Sequence, residues 1–485
     1  MKKLLLLLPV FYLFVLLLQV EKAFTQDLGR HLLLGQLILD CLCIPKTNLF
    51  SYTAPHFPFV NHHWIPEVIF YVVTQFASLT ALLWMKIVLI VVSFLPILYL
   101  AVRKSTPLIA VTLALPFIFV FSERFDARPE IFSFVFVSCM LYLLSQYRDT
   151  GKWVFLSPLP MIQLLWVNSH IYFFVGILLF LFLEIDLAVR KKLTRTLVLF
   201  FCATCAATFI NPNFITGALY PLQVFGNYGY SIVENQNIFF LNSFFFNPRV
   251  LVFELLALVS IVGIGVQLKL RNYFYALCMT FAVIAGFMMI RNFPLFVLIA
   301  FPGLAGSVFI LLQKISPQIR KQVVITSGGL LVLFAGVHIL QFVKSPYFGP
   351  QYIYGAEEAV DFFEEKKLSG RIFNNFDIGS YLIYRLYPAQ KVFVDGRPEA
   401  YPASFFDEYK RMQTDPAFFK QQVIRYDINT VFFAHTDITP WAQRFLQTII
   451  QDSQWIPVYI DERIVILLKD IPKNQELIAK YRIVN

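Results

Sequence analysis

Residues 79–102 read LTALLWMKIVLIVVSFLPILYLAV, and Arg103 and Lys104 follow directly. Lys86 is the one charged residue within the run. A helix needs about 20 mainly apolar residues to cross the ~30 Å hydrocarbon core of a bilayer, and this run is long enough. A basic pair at its end is typical of a helix that ends in the cytoplasm. The stretch therefore predicts a transmembrane helix that runs inward from the outer face.

Composition extends this prediction to most of the chain. Of the 485 residues 58% are hydrophobic and 14% are charged, with a mean hydropathy of +0.66, whereas soluble domains are typically ~45–50% apolar and ~25% charged. Up to Lys344 there are 24 Lys/Arg against 12 Asp/Glu, and from Ser345 onward 16 against 18. Because the basic excess belongs to the apolar part, it indicates loops held in the cytoplasm and not nucleic-acid binding.

Apolar runs predict eleven transmembrane helices, several of them short for a full crossing. The runs cover residues 4–20, 79–102, 106–121, 129–147, 153–167, 171–189, 193–210, 249–267, 272–290, 293–313 and 321–342. No small-residue cleavage site follows the first run, so we expect a retained helix and not a cleaved signal peptide. Residues 66–78 are apolar but short, which predicts an interfacial or re-entrant helix.

Charge bias decides the topology. With the N-terminus inside, eleven spans place every basic cluster without acidic neighbours in the cytoplasm, whereas a twelfth span at 66–78 would put most of them outside. We therefore expect a transmembrane domain over 1–344, with outer loops at 21–78 and 211–248, and a soluble outer domain over 345–485.

The C-terminal segment alternates helix and strand patterns, which predicts a small α/β domain. The expected elements are a helix over Ala356–Lys367, strands at Arg371–Phe373, Lys391–Val394 and Thr430–Ala434, helix starts at Thr414-Asp415-Pro416 and Thr439-Pro440, and a hairpin of Trp455–Ile460 with Arg463–Leu468. The helix starts follow from a capping side chain before a proline in the first turn.

Polar and ionisable residues gather in the predicted outer loops. They include Asp27, Arg30, His31, Asp40, His56, Asn61, His62, His63, the stretch SERFDARPE at 122–130, Asn168, His170, Glu234, Arg291 and Asn292. Any one of them alone is most simply an interfacial anchor. Such groups are costly where helices meet lipid unless they are paired or used. Their enrichment in five loops on one side predicts that the outer face carries the function.

Several motifs occur in an order that resembles the GT-C superfamily, membrane glycosyltransferases that use polyprenyl-phosphate-linked sugars. After the first helix come Asp27-Leu-Gly-Arg-His31, Asn48-Leu-Phe-Ser-Tyr-Thr53 and Asn61-His-His-Trp-Ile-Pro-Glu67; later come Arg128-Pro129, Asn168-Ser-His170, Phe376-Asp-Ile-Gly-Ser-Tyr-Leu382 and Val394-Asp-Gly-Arg397. The likeness is to bacterial relatives of the protein mannosyltransferase and aminoarabinose transferase type. Where such relatives often carry an acid, this chain has Asn48, which puts a catalytic or metal-binding role at that position in doubt.

The resemblance implies a GT-C-like polytopic α-helical membrane protein of about eleven transmembrane helices with a small extracytoplasmic α/β domain. It implies a donor sugar on a polyprenyl phosphate, a glycan, lipid or protein acceptor, contact with membrane lipid and a place in a bacterial inner membrane. Asp27 lies where the family keeps its catalytic aspartate, so it is expected to be the general base. Its alternative role is to cap the helix that follows.

The remaining site residues are expected to bind substrate. They are Arg30, His31, His62, His63, Glu67, Arg124, Asp126, Arg128, His170, Glu234 and Arg291. Guanidinium groups match phosphate oxygens, so Arg124, Arg128 and Arg291 are the phosphate candidates. Alternatively, the arginines of 122–130 form an interfacial salt-bridge cluster with Glu123, Asp126 and Glu130.

Metal and disulfide use are weakly indicated by the sequence. A divalent cation is left open, because no histidine spacing is diagnostic and His62 and His63 point to opposite sides if the backbone is extended. Cys41 and Cys43 are expected to be too close together for an easy disulfide with each other. Two other functions remain open: a transporter or flippase of lipid-linked glycan, and a non-catalytic relative that binds polyprenyl phosphate.

Overall fold

A computed structural model describes residues 5–21, 27–224, 229–230, 233–243, 246–352 and 355–483. Parts of the predicted outer loops 21–78 and 211–248 therefore lie outside the described residues. The chain divides into two compact units. The first comprises Met1–Val20, Ala77–Gln223 and Ser231–Gln351, and the second comprises Glu21–Phe76, Val224–Tyr230 and Tyr352–Asn485.

The first unit is helical. Its described helices are Leu7–Leu17, Leu79–Lys104, Pro107–Phe121, Glu130–Thr150, Leu159–Val167, Phe173–Val189, Arg195–Ala207, Phe214–Val224, Ile238–Asn242, Pro248–Lys269, Tyr273–Met288, Phe293–Gln313 and Pro317–Val343. Each predicted span overlaps one of them. Six helices in the described residues are long and apolar enough to cross a membrane, so the chain has the character of a multi-pass membrane protein and the count of eleven stays a prediction.

Three of these helices begin with the same local signal, a capping side chain followed by proline. Thr106 accepts from the backbone N–H of Ile109, Asn247 from Arg249 and Ser316 from Ile319, and in each case proline is the first helical residue. The cap satisfies a backbone N–H that has no partner within the helix, and proline needs none. Local sequence alone therefore fixes where these helices start.

Ionic contacts join the loops that the charge bias assigned to the cytoplasm. Lys104 Nζ lies 2.7 Å from Asp149 Oδ2, and Arg148 Nε lies 2.8 Å from Asp186 Oδ2. Arg190 contacts the other oxygen of Asp186 at 3.1 Å and donates to the carbonyl of Arg271 at 2.6 Å. These loops thus meet at one end of the helices, as alternating spans require.

In the second unit two helices pack closely, Gly29–Cys41 and Trp64–Phe76. A Cβ atom on Gly35 would lie 2.1 Å from the carbonyl oxygen of Glu67, so only glycine allows this approach. The segment predicted to be interfacial is the second helix of the pair. The expectation about the cysteines was wrong: Cys41 and Cys43 form a disulfide, because Leu42 adopts φ +49° and their Cα atoms come within 5.1 Å.

The C-terminal part of the second unit is a mixed sheet with helices. The described strands are β1 (Arg371–Asn374), β2 (Ile428–Ala434), β3 (Trp455–Ile460) and β4 (Ile464–Lys469), and the helices are Glu357–Glu365, Gly379–Leu386, Ala403–Thr414, Pro416–Tyr426, Pro440–Ile449 and Gln475–Tyr481. The sheet order is β1-β2-β4-β3, with β1 parallel to β2 and the other pairs antiparallel. Phe373, Phe433 and Phe445 pack together in its core.

Most predicted C-terminal elements are present, but the strand at Lys391–Val394 was wrong. Val392 forms an isolated bridge with Ser51, and the hydroxyls of Ser51 and Thr53 donate to the carbonyl of Phe393. Its backbone partners thus come from the first outer segment and from the side chain of Asn374 at the end of β1, which bonds the N–H of Phe393 and the carbonyl of Val394. We predicted that residues 21–78 belong to the transmembrane domain. Ser51 and Thr53 of this segment instead contact Val392 and Phe393 of the C-terminal part.

Candidate functional site

Asp27 and Arg30 form an ion pair at the start of the helix Gly29–Cys41. Arg30 Nη2 lies 3.2 Å from Asp27 Oδ1, and the Asp27 side chain remains 20% exposed. The N-cap position of this helix is Leu28, without a side-chain cap hydrogen bond. Arg30 is buried, and its Nε has no hydrogen-bond partner among the described residues. A partly exposed carboxylate held by a buried guanidinium can accept a proton from a bound molecule.

His31 links this pair to a buried acid. Its Nδ1 lies 2.8 Å from Glu67 Oε1, and its Nε2 lies 3.5 Å from Arg30 Nη2. A neutral imidazole with its proton on Nδ1 satisfies both contacts, because Arg30 can only donate. The other oxygen of Glu67 accepts from Asn61 Nδ2 at 2.6 Å. Burial raises the pKa of Glu67 to about 7, although the Asn61 hydrogen bond and the charge of Arg30 act in the opposite direction.

His62 and His63 stand side by side. Their ring centroids are 4.0 Å apart, and His62 Nδ1 donates to the carbonyl of Val60 at 3.1 Å. The extended geometry that would separate them does not occur here, because Asn61 Oδ1 accepts from the backbone N–H of His63 directly before the helix at Trp64. Burial lowers the pKa of His62 to about 4, so this ring is neutral at physiological pH.

In the first unit, arginines surround Glu234. Glu234 Oε2 lies 2.8 Å from Arg124 Nη1 and 2.9 Å from Arg128 Nη1. Arg291 Nη1 donates to Asn235 Oδ1 at 2.8 Å, and its Nε is buried without a hydrogen-bond partner among the described residues. Three guanidinium groups from two predicted outer loops therefore meet the short 3₁₀ turn Val233–Asn235.

The electrostatics of this cluster are dominated by the arginines. Burial by itself would raise the pKa of Glu234, but Arg128, Arg124 and Arg291 together lower it to about 2. Arg124 also donates through Nε to Glu130 Oε1 at 2.9 Å. The sequence also allowed an interfacial salt-bridge cluster within residues 122–130, and the pair Arg124–Glu130 is one such salt bridge. Asp126, however, approaches Arg128 only to 3.9 Å, and Glu234 makes the closer contacts.

His170 is held within the same unit. Trp166 Nε1 donates to Ser133 Oγ at 2.7 Å, and Ser133 Oγ lies 3.0 Å from His170 Nδ1. The backbone N–H of Tyr172 donates to the same nitrogen at 3.3 Å. With Nδ1 accepting, the proton of a neutral His170 is on Nε2.

Asp395 and Arg397, from the motif Val394-Asp-Gly-Arg397, form a buried pair in the second unit. Arg397 Nε and Nη2 donate to the two oxygens of Asp395 at 2.7 and 2.8 Å, and Nη2 also donates to Asn48 Oδ1 at 2.9 Å. The ring of Phe59 lies 4.8 Å from the guanidinium carbon. Both side chains are at most 1% exposed, so the pair belongs to the interior of the second unit.

The candidate residues therefore fall into two groups, one in each unit. Asp27, Arg30, His31, His62, His63 and Glu67 are in the second unit, and Arg124, Asp126, Arg128, His170, Glu234 and Arg291 are in the first. Sequence reasoning missed the residues that hydrogen-bond to the candidates within each group. Asn61 stood beside two histidines and could have been included, whereas nothing in the sequence singles out Ser133 or Trp166 as partners of His170.

No family model and no curated protein matches this sequence. Solved structures do match its fold. The archaeal oligosaccharyltransferase AglB from Archaeoglobus fulgidus, in complex with an inhibitory peptide and a dolichol-phosphate, is 12% identical with a TM-score of 0.65, over 98% of this chain and 75% of that chain. The Archaeoglobus fulgidus oligosaccharyltransferase tethered with an acceptor peptide containing the NVT sequon is 14% identical, with a TM-score of 0.63 over 98% of this chain and 75% of that chain.

ArnT from Cupriavidus metallidurans in the apo state is also similar, with 11% identity and a TM-score of 0.54 over 96% of this chain and 97% of that chain. At such identities the likeness concerns the fold. AglB and ArnT are both glycosyltransferases of one superfamily. The chain has the GT-C fold that the order of its motifs predicted.

Proposed function

We propose that this protein is a GT-C-type glycosyltransferase of the bacterial inner membrane. It moves a sugar from a polyprenyl-phosphate-linked donor to a glycan, lipid or protein acceptor on the outer face, where its C-terminal domain also lies. The arrangement of Glu234 with Arg124, Arg128 and Arg291 is the observation that carries the proposal. The fold supports it, since structures of this fold include AglB with a dolichol-phosphate and an Archaeoglobus fulgidus oligosaccharyltransferase tethered with an acceptor peptide.

The arginine cluster is suited to a phosphate group. Guanidinium groups bind phosphate oxygens through paired N–H donors, and an apolar setting strengthens the attraction. Arg124, Arg128 and Arg291 outnumber the carboxylates, Glu130 and Glu234, that contact them within 3 Å. The buried Nε of Arg291 is a donor that an anion can use. We propose that this cluster stabilises the negative charge that develops on the leaving polyprenyl phosphate.

Asp27 is the proposed base. As the acceptor oxygen or nitrogen attacks the anomeric carbon of the donor sugar, its proton passes to the Asp27 carboxylate. The bond between that carbon and the phosphate oxygen breaks, so the polyprenyl phosphate leaves with the electron pair and the configuration inverts. Arg30 Nη2, 3.2 Å from Asp27 Oδ1, orients the carboxylate, and the 20% exposure of Asp27 leaves it accessible.

An Asp27→Asn variant tests the proposal. In membranes from cells that lack the native protein, we expect release of undecaprenyl phosphate from a panel of undecaprenyl-phosphate-linked sugars to fall by about 10²–10⁴-fold, the usual contribution of a general base. Asp40→Asn is the matched control, because Asp40 is exposed at the far end of the same helix. Equal release by the Asp27→Asn variant and the control would refute Asp27 as base. No release by the native protein from any donor of the panel would contradict the transferase assignment.

A further inference from the structure

Three side chains with metal-ligand chemistry converge in the second unit. His31 belongs to the first turn of the helix Gly29–Cys41, His63 directly precedes the helix Trp64–Phe76, and Glu67 lies in the first turn of that helix. One ligand atom from each lies within 4.8 Å of the other two. The close packing at Gly35, where a Cβ would collide with the Glu67 backbone, brings the two helices near enough for this arrangement.

We propose that His31, His63 and Glu67 bind one divalent transition-metal ion, with Zn²⁺ the first candidate. Two imidazole nitrogens and one carboxylate oxygen suit Zn²⁺, whereas Mg²⁺ and Ca²⁺ prefer ligand sets made of oxygen atoms. Three protein ligands leave a fourth tetrahedral position for water or for an oxygen of a bound molecule. This site goes beyond the proposed sugar transfer, whose base and phosphate ligands are other residues.

The spacing needs only a small adjustment. Bonds of ~2.0–2.2 Å to a tetrahedral ion place neighbouring ligand atoms roughly 3.3–3.6 Å apart. His31 Nδ1 and Glu67 Oε1 are now 2.8 Å apart, which is a hydrogen-bond distance. These two atoms must therefore separate by about 0.5–0.8 Å for an ion to enter between them. Binding at Nδ1 also moves the ring proton of His31 to Nε2, so the 3.5 Å contact between Nε2 and Arg30 Nη2 is given up.

Asn61 holds two of the three ligands in place. Its Nδ2 donates to Glu67 Oε2 at 2.6 Å, which leaves Oε1 directed toward His31. Its Oδ1 accepts from the backbone N–H of His63 at 3.0 Å. Hydrogen bonds of this kind orient metal ligands, and their loss typically costs about 10–100-fold in metal affinity.

The surrounding charge is compatible with a cation. The positive charge of Arg30 is matched by Asp27 at 3.2 Å, so the carboxylate of Glu67 can offset part of the charge of the ion. His62 is the nearest further histidine, but its Nδ1 donates to the Val60 carbonyl and it is not one of the three converging residues. The proposal therefore separates two adjacent histidines: His63 binds the ion and His62 does not.

Metal binding to the purified full chain, without a histidine tag, tests the site. After treatment with EDTA and addition of Zn²⁺, we expect one ion per chain by mass spectrometry. His31→Gln and His63→Gln abolish this stoichiometric binding. His62→Gln and His56→Gln, which replaces an exposed histidine of the same segment, retain it. Asn61→Ala weakens binding by about 10–100-fold.

X-ray absorption of the native chain loaded with Zn²⁺ identifies the ligands without any variant, so it remains decisive even if a variant fails to fold. It should show two imidazole nitrogens at ~2.0–2.1 Å. The proposal is overturned if the native chain binds no ion at one equivalent, if no imidazole is seen, or if His62→Gln removes the ion and His63→Gln does not. None of these measurements depends on sugar transfer, so this proposal and the proposed function can fail separately.

Discussion

Replacing Glu234 by glutamine removes the negative charge at the centre of the arginine cluster. The pKa of Glu234 is lowered from 4.5 to about 2 by Arg128, Arg124 and Arg291, against the opposing effect of burial. At ~1.36 kcal/mol per pKa unit, this shift corresponds to roughly 3.4 kcal/mol of stability at neutral pH. Because the side chain is 30% exposed, solvent reduces the value, and we expect Glu234→Gln to cost about 2–3 kcal/mol at pH 7.

The effect has a defined dependence on pH. A carboxyl whose folded pKa is depressed stabilises the fold above its unfolded pKa, and this stabilisation is lost as the pH falls through the folded pKa. Between pH 7 and pH 3, about 2 of the 3.4 kcal/mol disappears for a shift from 4.5 to 2. The difference in unfolding free energy between the native chain and the Glu234→Gln variant should shrink correspondingly, to roughly 1 kcal/mol at pH 3.

The assay is chemical denaturation in detergent micelles at both pH values, followed by tryptophan fluorescence. Asp126→Asn is the matched control, because Asp126 is 31% exposed but approaches Arg128 only to 3.9 Å. A pair of this kind contributes about 0–1 kcal/mol. If Glu234→Gln costs no more than Asp126→Asn, or if its cost is the same at pH 7 and pH 3, our account of the cluster is wrong.

Two further predictions concern the buried pair and the topology. Asp395→Asn leaves the charge of Arg397 buried without its partner and should lower the unfolding free energy by about 3–5 kcal/mol. The control is Lys420→Gln, which breaks a pair whose lysine is 57% exposed and should cost about 0–1 kcal/mol. Equal effects of the two variants would contradict a structural role for Asp395. Single cysteines at Thr436 and Lys192, both exposed, should be labelled by an impermeant maleimide from outside and from inside, respectively, and the reverse pattern would overturn the topology.

Features that depend on local sequence were predictable. Hydropathy located a helix in every predicted span, because a residue that faces lipid must be apolar whatever its neighbours are. Cap-and-proline signals such as Asp415-Pro416 fixed helix starts, and Asp415 accepts from the backbone N–H groups of Ala417 and Phe418. The hairpin of β3 and β4 likewise follows from alternation around a turn, where Asp461 accepts from Arg463 and Ile464.

Features that depend on contacts distant in sequence were not predictable from one chain. Glu67 and His31 are hydrogen-bonded although they are 36 positions apart in sequence, and Glu234 and Arg128 although they are 106 apart. Residue type therefore identified them as candidates but did not show which ones pair. The segment Lys391–Val394 is apolar enough for a strand, yet Val392 bonds through its backbone to Phe50 and Tyr52, and Phe393 and Val394 bond to the side chain of Asn374. Sequence showed which residues were costly to leave unpaired, and the tertiary fold alone determined their partners.

The asparagine at position 48 shows how such partners bear on function. Asn48 Nδ2 donates to the carbonyl of Ala400, and its Oδ1 accepts from Arg397, whose charge Asp395 already balances. An aspartate at this fully buried position would lose the donor to Ala400 and add a second negative charge beside a single guanidinium, which is costly in a buried site. Packing in the second unit therefore favours asparagine over aspartate at position 48. Because both polar atoms of Asn48 are engaged inside the second unit, we assign position 48 no part in the proposed chemistry, which depends on the partly exposed Asp27.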